Sequence, residues 1–203
     1  MTDAANWVER HAAAATAWDT TPNQFVVAAC GRLRPGTALD VGAGEGANAI
    51  WLAGRGWRVT ALDREMVSVG RVQARSALLA HPVDAILADA INYRPRPGSF
   101  DLILLAYLDL PEPQWRRVLA NCVPGLASGG TVLVVGHDAS NLDSGWGGPS
   151  DPDLLTTPAH LAGLITNLGL EVRRAEVVRR EVANDVGFHT ALDHIVEAVR
   201  PAA

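Results

Sequence analysis

Three glycines at alternate positions, Gly42, Gly44 and Gly46, follow directly on the apolar run Ala38 to Val41. Glycines so spaced let a turn adopt open backbone angles and let a ligand approach the main chain closely. A helix beginning at Glu45 or Gly46 would turn its free N–H groups toward the same place. Further carboxylates close the next two apolar runs: Asp63 after Val59 to Leu62, and Asp89 after Ile86 to Ala88. Asp63 lies 21 residues beyond Gly42, where an acidic side chain accepts from both hydroxyls of a ribose. The glycine spacing is G-x-G-x-G, and Ala47 stands where the dinucleotide fingerprint G-x-G-x-x-G has its third glycine. Asp40, two residues before Gly42, is acidic. A carboxylate there would repel a pyrophosphate and attract the ammonium of an amino-acid group. The pattern suits S-adenosylmethionine, which has an amino-acid group, a ribose and an adenine but no phosphate.

A second set of reactive side chains follows the next two apolar runs. Phe100 to Ala106 leads into Tyr107, Leu108 and Asp109, and Thr131 to Val135 leads into Gly136, His137 and Asp138. His137 is the candidate general base or orienting group, because imidazole exchanges protons near neutral pH. Asp138 is placed to hold it or to cap a turn. The stretch Asn141 to Thr156, centred on Gly145-Trp146-Gly147-Gly148-Pro149, has no periodic pattern and reads as a loop on the substrate side. His137, His160 and His189 have no metal-ligand spacing, so no metal is assigned.

The elements that hold these residues alternate. Ala38 to Val41, Trp57 to Leu62, Val83 to Ala88, Phe100 to Ala106 and Thr131 to Val135 read as strands, near-continuously apolar as in a parallel sheet covered on both faces. Trp115, Val118, Leu119, Cys122 and Leu126 form one helical stripe, with Pro124 kinking or ending its last turn. Leu161, Leu164, Ile165 and Leu168 form another, capped by Thr157, opened by Pro158 and stopped by Gly169. Strands alternating with helices predict an α/β, Rossmann-like, doubly wound sheet. Leu170 to Val182 reads as a further strand, whereas His189 to Arg200 fits helix and strand periods alike. Residues 1–36 read as an N-terminal helical arm, broken near Pro22, and residues 37–203 as the cofactor-binding domain.

From about Thr37 to Val182 the chain resembles the class I S-adenosylmethionine-dependent methyltransferases. The resemblance rests on Leu39-Asp40-Val41-Gly42-Ala43-Gly44-Glu45-Gly46, Asp63, Asp89, Phe100-Asp101-Leu102-Ile103 and Gly129-Gly130-Thr131-Val132-Leu133. Ala49-Ile50-Trp51-Leu52-Ala53 with Gly56-Trp57-Arg58-Val59-Thr60 is similar to the small-molecule branch that includes tellurite-resistance and thiopurine methyltransferases. The resemblance implies that Asp40, Gly42, Ala43 and Gly44 surround the methionine part of the cofactor. It implies that Asp63, with Arg64 beside it, binds the ribose, and that Met66 packs on the adenine. Asp89 would accept from the adenine amino group with Ala90 alongside, and Ala106 and Tyr107 would flank the transferred methyl. It also implies a seven-stranded sheet with an antiparallel C-terminal pair, which makes His189 to Arg200 a strand, and an arm that folds over the site as a lid. Trp18, Asn23 and Phe25 would line the acceptor pocket. Methyltransferases that act on DNA bases or glutamine carry an Asn/Asp-Pro-Pro-aromatic motif after the fourth strand. This chain has Leu104-Leu105-Ala106-Tyr107-Leu108-Asp109 there, which suits a small acceptor.

Composition narrows the field further. The 203 residues carry 17 arginines and no lysine against 22 acidic residues, which excludes Schiff-base chemistry and a phosphate-loop lysine. An acidic chain without a basic block does not suit nucleic acid, and the arginine pairs at 116–117, 173–174 and 179–180 read as solvated faces. Two cysteines rule out a disulfide framework. No apolar run approaches the roughly 18 residues of a membrane span, and the N-terminus lacks a signal-peptide pattern, so the expected compartment is the cytoplasm. A homodimer is compatible with all of this. Two other readings stay open on the residues: a nicotinamide-dependent oxidoreductase, and a non-catalytic S-adenosylmethionine-binding module.

Overall fold

In the computed structural model, which describes residues 21–184 and 187–202, the apolar runs become strands of one mixed sheet. The arm residues before 21, Trp18 among them, lie outside the described residues. The elements are α1 (Gln24–Cys30), β1 (Thr37–Val41), α2 (Ala47–Gly54), β2 (Arg58–Asp63), α3 (Met66–Ser76), β3 (Asp84–Leu87) and β4 (Phe100–Ala106). They continue as α4 (Glu112–Cys122), β5 (Leu126–His137), α5 (Asn141–Ser144), α6 (Pro158–Thr166), β6 (Glu171–Asn184) and β7 (Gly187–Val199). The strand order is β3-β2-β1-β4-β5-β7-β6. β1 to β5 run parallel, and β7 is antiparallel to both β5 and β6. The ambiguous stretch 189–200 is therefore strand, as the antiparallel pair requires.

Alternation along the central strands divides the core in two. Leu39, Ile103, Leu105, Val132 and Val134 face α4 and α6, where they meet Trp115, Leu119, Leu161 and Ile165. Ala38, Leu102, Leu104, Leu133 and Val135 face the opposite way, against Val26 and Cys30 of α1 and Leu52 of α2. Each fully buried leucine here contributes about 2 kcal/mol through removal of apolar surface from water. Both faces being covered is why these strands read as unbroken apolar runs.

Two elements differ from their sequence reading, each for a local reason. The helical stripe ends at Cys122, a 3-10 turn spans Val123–Gly125, and Leu126 opens β5. Pro124 ends the helix, so Leu126 belongs to the strand. β5 begins before Thr131 because Leu126 pairs with Phe100 ahead of an irregularity, and Gly129 takes φ +75°. That glycine-rich stretch carries no apolar signal. The loop at 141–156 also contains structure, namely α5 and a 3-10 turn at Pro152–Leu154. The predicted signals around α6 hold: Thr157 Oγ1 accepts from the His160 N–H, and Gly169 has φ +81°.

Candidate active site

The glycine loop leaves β1 at the C-terminal edge of the sheet. Gly42, Gly44 and Gly46 all have positive φ (72°, 53° and 80°), which only glycine adopts cheaply. The N–H groups of Gly42 and Ala43 both donate to the Leu62 carbonyl, tying the loop to β2. Asp63, at the end of β2, accepts from the Gly44 N–H at 2.8 Å and from the Glu65 N–H at 2.9 Å. Glu45 is held from α3 by its contact with Arg71 and by Arg75, which donates to the Glu45 carbonyl at 2.7 Å. A β-carbon built on Gly44 would meet nothing within 4 Å, so this side of the loop is open.

Asp40 lies under that loop with 1% of its surface exposed. Its Oδ2 is buried and has no hydrogen-bond partner among the described residues. Burial, and then the neighbouring Asp63 carboxylate, push its pKa up from 3.8 to about 7, while a hydrogen bond from the Ala49 backbone pulls the other way. A buried carboxylate with one oxygen lacking a partner and another carboxylate beside it is short of a cation. A cationic group would meet that shortage, and a phosphate would add to the repulsion.

The remaining predicted cofactor residues lie along the same edge. Met66 starts α3 and is 72% exposed, leaving its side chain available to a ligand face. Arg64 is exposed and its Nε stands 3.5 Å from Glu65. Asp89 is exposed and closes a turn, accepting from the Ile91 N–H at 2.8 Å. Ala90 and Ala106 are half-buried.

The second set of residues gathers over the ends of β4, β5 and β7. Tyr107 has φ +53°, the one positive value at a non-glycine among the described residues, so its backbone is held in a costly conformation. The network around its hydroxyl does the holding. The hydroxyl donates to Asp193 Oδ2 at 2.5 Å and accepts from Arg180 Nε at 3.0 Å and Asn23 Nδ2 at 3.2 Å. Arg180 also pairs with Asp193, Nε to Oδ2 at 2.6 Å and Nη2 to Oδ1 at 3.3 Å. Asp193 is fully buried. Burial, then the adjacent Asp193, push the Tyr107 hydroxyl pKa well above the usual phenol range, so it remains protonated.

One of the two roles open to Asp138 is settled here. Asp138 does not touch His137; its Oδ1 accepts from the Ser140 N–H and hydroxyl and so caps a turn. Asp109 takes its place, both carboxylate oxygens lying 3.3 Å from His137 Nδ1. The Tyr107 and His137 rings meet edge to face at 4.8 Å. Gly148 lies over the imidazole, where an added β-carbon would come within 2.7 Å of its Cδ2. Asn141 fastens that loop to β7, donating to the Gly147 carbonyl and accepting from the Leu192 N–H, each at 2.7 Å. Two residues before Gly148, Trp146 stacks on His189 at 4.6 Å and 11°.

Asn23 is near the site as predicted, and Arg180 and Asp193 were missed. Arg180 had been grouped with surface arginines, and for Arg173 and Arg174, in exposed pairs with Glu171 and Glu176, that reading is right. The available signal was the period of two: in β6, Val178 and Arg180 share a face, as do Ala191, Asp193 and Ile195 in β7.

A parallel sheet with a reversed β7 inserted beside β5, and a glycine turn after β1, defines the class I methyltransferase fold. Residues 38–130 match the model of a methyltransferase domain family. The chain is 32% identical over 123 residues to the 3-hydroxy-5-methyl-1-naphthoate 3-O-methyltransferase of Streptomyces sahachiroi. That match covers 58% of this chain and about a third (34%) of the relative's length. Among solved structures, TehB from Haemophilus influenzae superposes with a TM-score of 0.72 at 18% identity, over 88% of this chain and 62% of that one. The N-methyltransferase NodS from Bradyrhizobium japonicum does so with 0.66 at 19%, over 88% and 93%. At these identities the two structures establish the shared fold. No helix among the described residues is long and apolar enough to cross a membrane.

Proposed function

We propose that the chain is an S-adenosylmethionine-dependent methyltransferase acting on a small molecule. The observation that carries this reading is the buried Asp40 carboxylate, its Oδ2 without a partner, beneath an open glycine turn, with Asp63 beside it. Such a site is built for a cation on a ligand without phosphate. S-adenosylmethionine, when bound, supplies an electrophilic methyl on a sulfonium.

This chain's residues then have separable tasks. Asp40 faces the ammonium, and the open space at Gly44 accommodates the carboxylate end. Asp63, already oriented by two backbone donors, has lone pairs left for the ribose hydroxyls. Met66 packs on the adenine and Asp89 accepts from its amino group. Ala106 and the rigidly held Tyr107 form the wall where the acceptor meets the methyl. Methyl transfer is an in-line displacement, so alignment and exclusion of water are most of what the protein must provide. The relative's name, an O-methyltransferase for a hydroxynaphthoate, supports a small-molecule acceptor.

Calorimetric titration with S-adenosylhomocysteine, alongside NAD and NADP, tests this. We expect one-to-one binding of S-adenosylhomocysteine in the micromolar range, roughly −8 kcal/mol, and none of either dinucleotide. Dinucleotide binding without S-adenosylhomocysteine binding would overturn it.

A further inference from the structure

His137 has the two-sided geometry of a working base. One ring nitrogen, Nδ1, faces the Asp109 carboxylate at 3.3 Å. The other, Nε2, has no partner among the described residues and is not among the buried orphaned atoms, so it is open to what enters the site. An imidazole whose Nδ1–H donates to a carboxylate is fixed in the tautomer that leaves Nε2 free to take a proton. Gly148 and Tyr107 hold the ring on two sides, and both are restrained in turn, by Asn141 and by the Arg180–Asp193 pair.

The surroundings narrow what gives up that proton. Tyr107 is not the base, since its hydroxyl is held protonated by three partners. Arg180 is a cation of this wall and is already paired with buried Asp193, so among the described residues this wall offers no unpaired cation to an acidic acceptor. Asp109 adds a negative charge instead. The faces offered are planar: the Tyr107 and His137 rings, with the Trp146–His189 stack on the adjoining loop and strand. A flat, uncharged ring bearing a weakly acidic hydroxyl meets all three conditions.

We propose that His137, positioned by Asp109, removes the proton from an aromatic hydroxyl acceptor that carries no carboxylate. The proposal rests on the methyltransferase reading above. As the acceptor oxygen's lone pair forms the new carbon–oxygen bond, the carbon–sulfur bond breaks and its pair stays on sulfur. The hydroxyl proton goes to His137 Nε2 and then to solvent.

The test uses one ring with different nucleophiles: 2-naphthol, 2-naphthylamine, naphthalene-2-thiol and 3-hydroxy-2-naphthoate. S-adenosylhomocysteine binding is measured first on every variant. We expect 2-naphthol to be methylated in preference to the other three. We expect His137→Asn to lower kcat for 2-naphthol about 100-fold at neutral pH with KM within about threefold. Asp109→Asn should lower kcat about tenfold with KM little changed, and Asp109→Glu should restore most of it, with S-adenosylhomocysteine affinity within twofold in all three variants. A thiol or amine taken in place of 2-naphthol overturns the proposal. So does turnover surviving in His137→Asn, or no turnover of any probe by a protein that binds S-adenosylhomocysteine. If S-adenosylhomocysteine itself fails to bind, the underlying reading falls and this proposal falls with it.

Discussion

The ends of β1 and β2 and the ends of β4, β5 and β7 are parts of one sheet edge built on opposite principles. On the first side the backbone does the work: three left-handed glycines, two N–H groups on one carbonyl, and a carboxylate oriented by main-chain donors. Its key side chain, Asp40, has one carboxylate oxygen, Oδ2, buried without a partner. On the second side the side chains do the work: the network around the Tyr107 hydroxyl is closed, while Asp138 Oδ2 and both His194 ring nitrogens are buried without a partner among the described residues. Asn23, Tyr107, Arg180 and Asp193 close a network, and His137 retains a single open nitrogen. The first side leaves a buried carboxylate oxygen beside an open loop, whereas the Tyr107 network of the second side is closed without a ligand. A polar group left short in the apo fold marks where binding free energy is gained.

If the second side is a self-contained wall, removing one member should cost stability and not cofactor affinity. Arg180→Met strands the fully buried Asp193 carboxylate. We expect a loss of about 4 kcal/mol in urea unfolding, with S-adenosylhomocysteine affinity within twofold. Adding Asp193→Leu should restore most of that loss, because the penalty is the unpaired charge. A large fall in cofactor affinity in Arg180→Met would show that the two sides are one unit.

The reverse experiment targets the first side. Asp63→Ala removes the acceptor for the Gly44 and Glu65 N–H groups along with the proposed ribose contact. Hydrogen bonds to a charged group contribute about 1.5–3 kcal/mol each. We expect S-adenosylhomocysteine affinity to fall about 50-fold by calorimetry, with a smaller change in stability than in Arg180→Met. Unchanged affinity would remove Asp63 from the cofactor site.

The same contrast explains what could be read before any coordinates. Apolar runs and glycine spacing are local, so β1, β2, β4 and the loop at 42–46 were visible in the sequence, as were the Thr157 cap and the Gly169 stop. The first-side residues sit at strand ends within about fifty positions of one another. The second side joins residues 23, 107, 180 and 193, and no local pattern links them. Tyr107 and Asp193 are 86 positions apart, and only the return of β7 beside β5 brings them together. For the same reason adjacency offers Asp138 to hold His137 or to cap a turn, and nothing local points to Asp109. Asp109 reaches the imidazole because β4 and β5 are neighbours and end at the same edge.

The smallest expected effect is a proton. In the apo fold the Asp40 pKa is raised from 3.8 to about 7, by burial first and Asp63 second. A carboxyl whose pKa is raised on folding holds its proton more tightly in the folded state. Its contribution to stability is therefore full below about pH 4 and is lost as pH rises toward 7. An ammonium placed against Asp40 favours the ionised form and lowers that pKa again. Binding then releases a proton below pH 7 and releases none well above it. Affinity for S-adenosylhomocysteine should accordingly rise about tenfold between roughly pH 6 and pH 8 and then level off. Calorimetry in two buffers of different ionisation enthalpy reads the released proton directly. Asp40→Asn should bind more weakly, flatten the pH dependence, and make the apo protein more stable than the parent at pH 8 with no advantage at pH 4. A parent protein whose affinity does not change across this range would mean that the buried carboxylate does not face the ligand's cation. Asp40 would then be a fixed structural acid, and the contrast between the two sides would lose its main support.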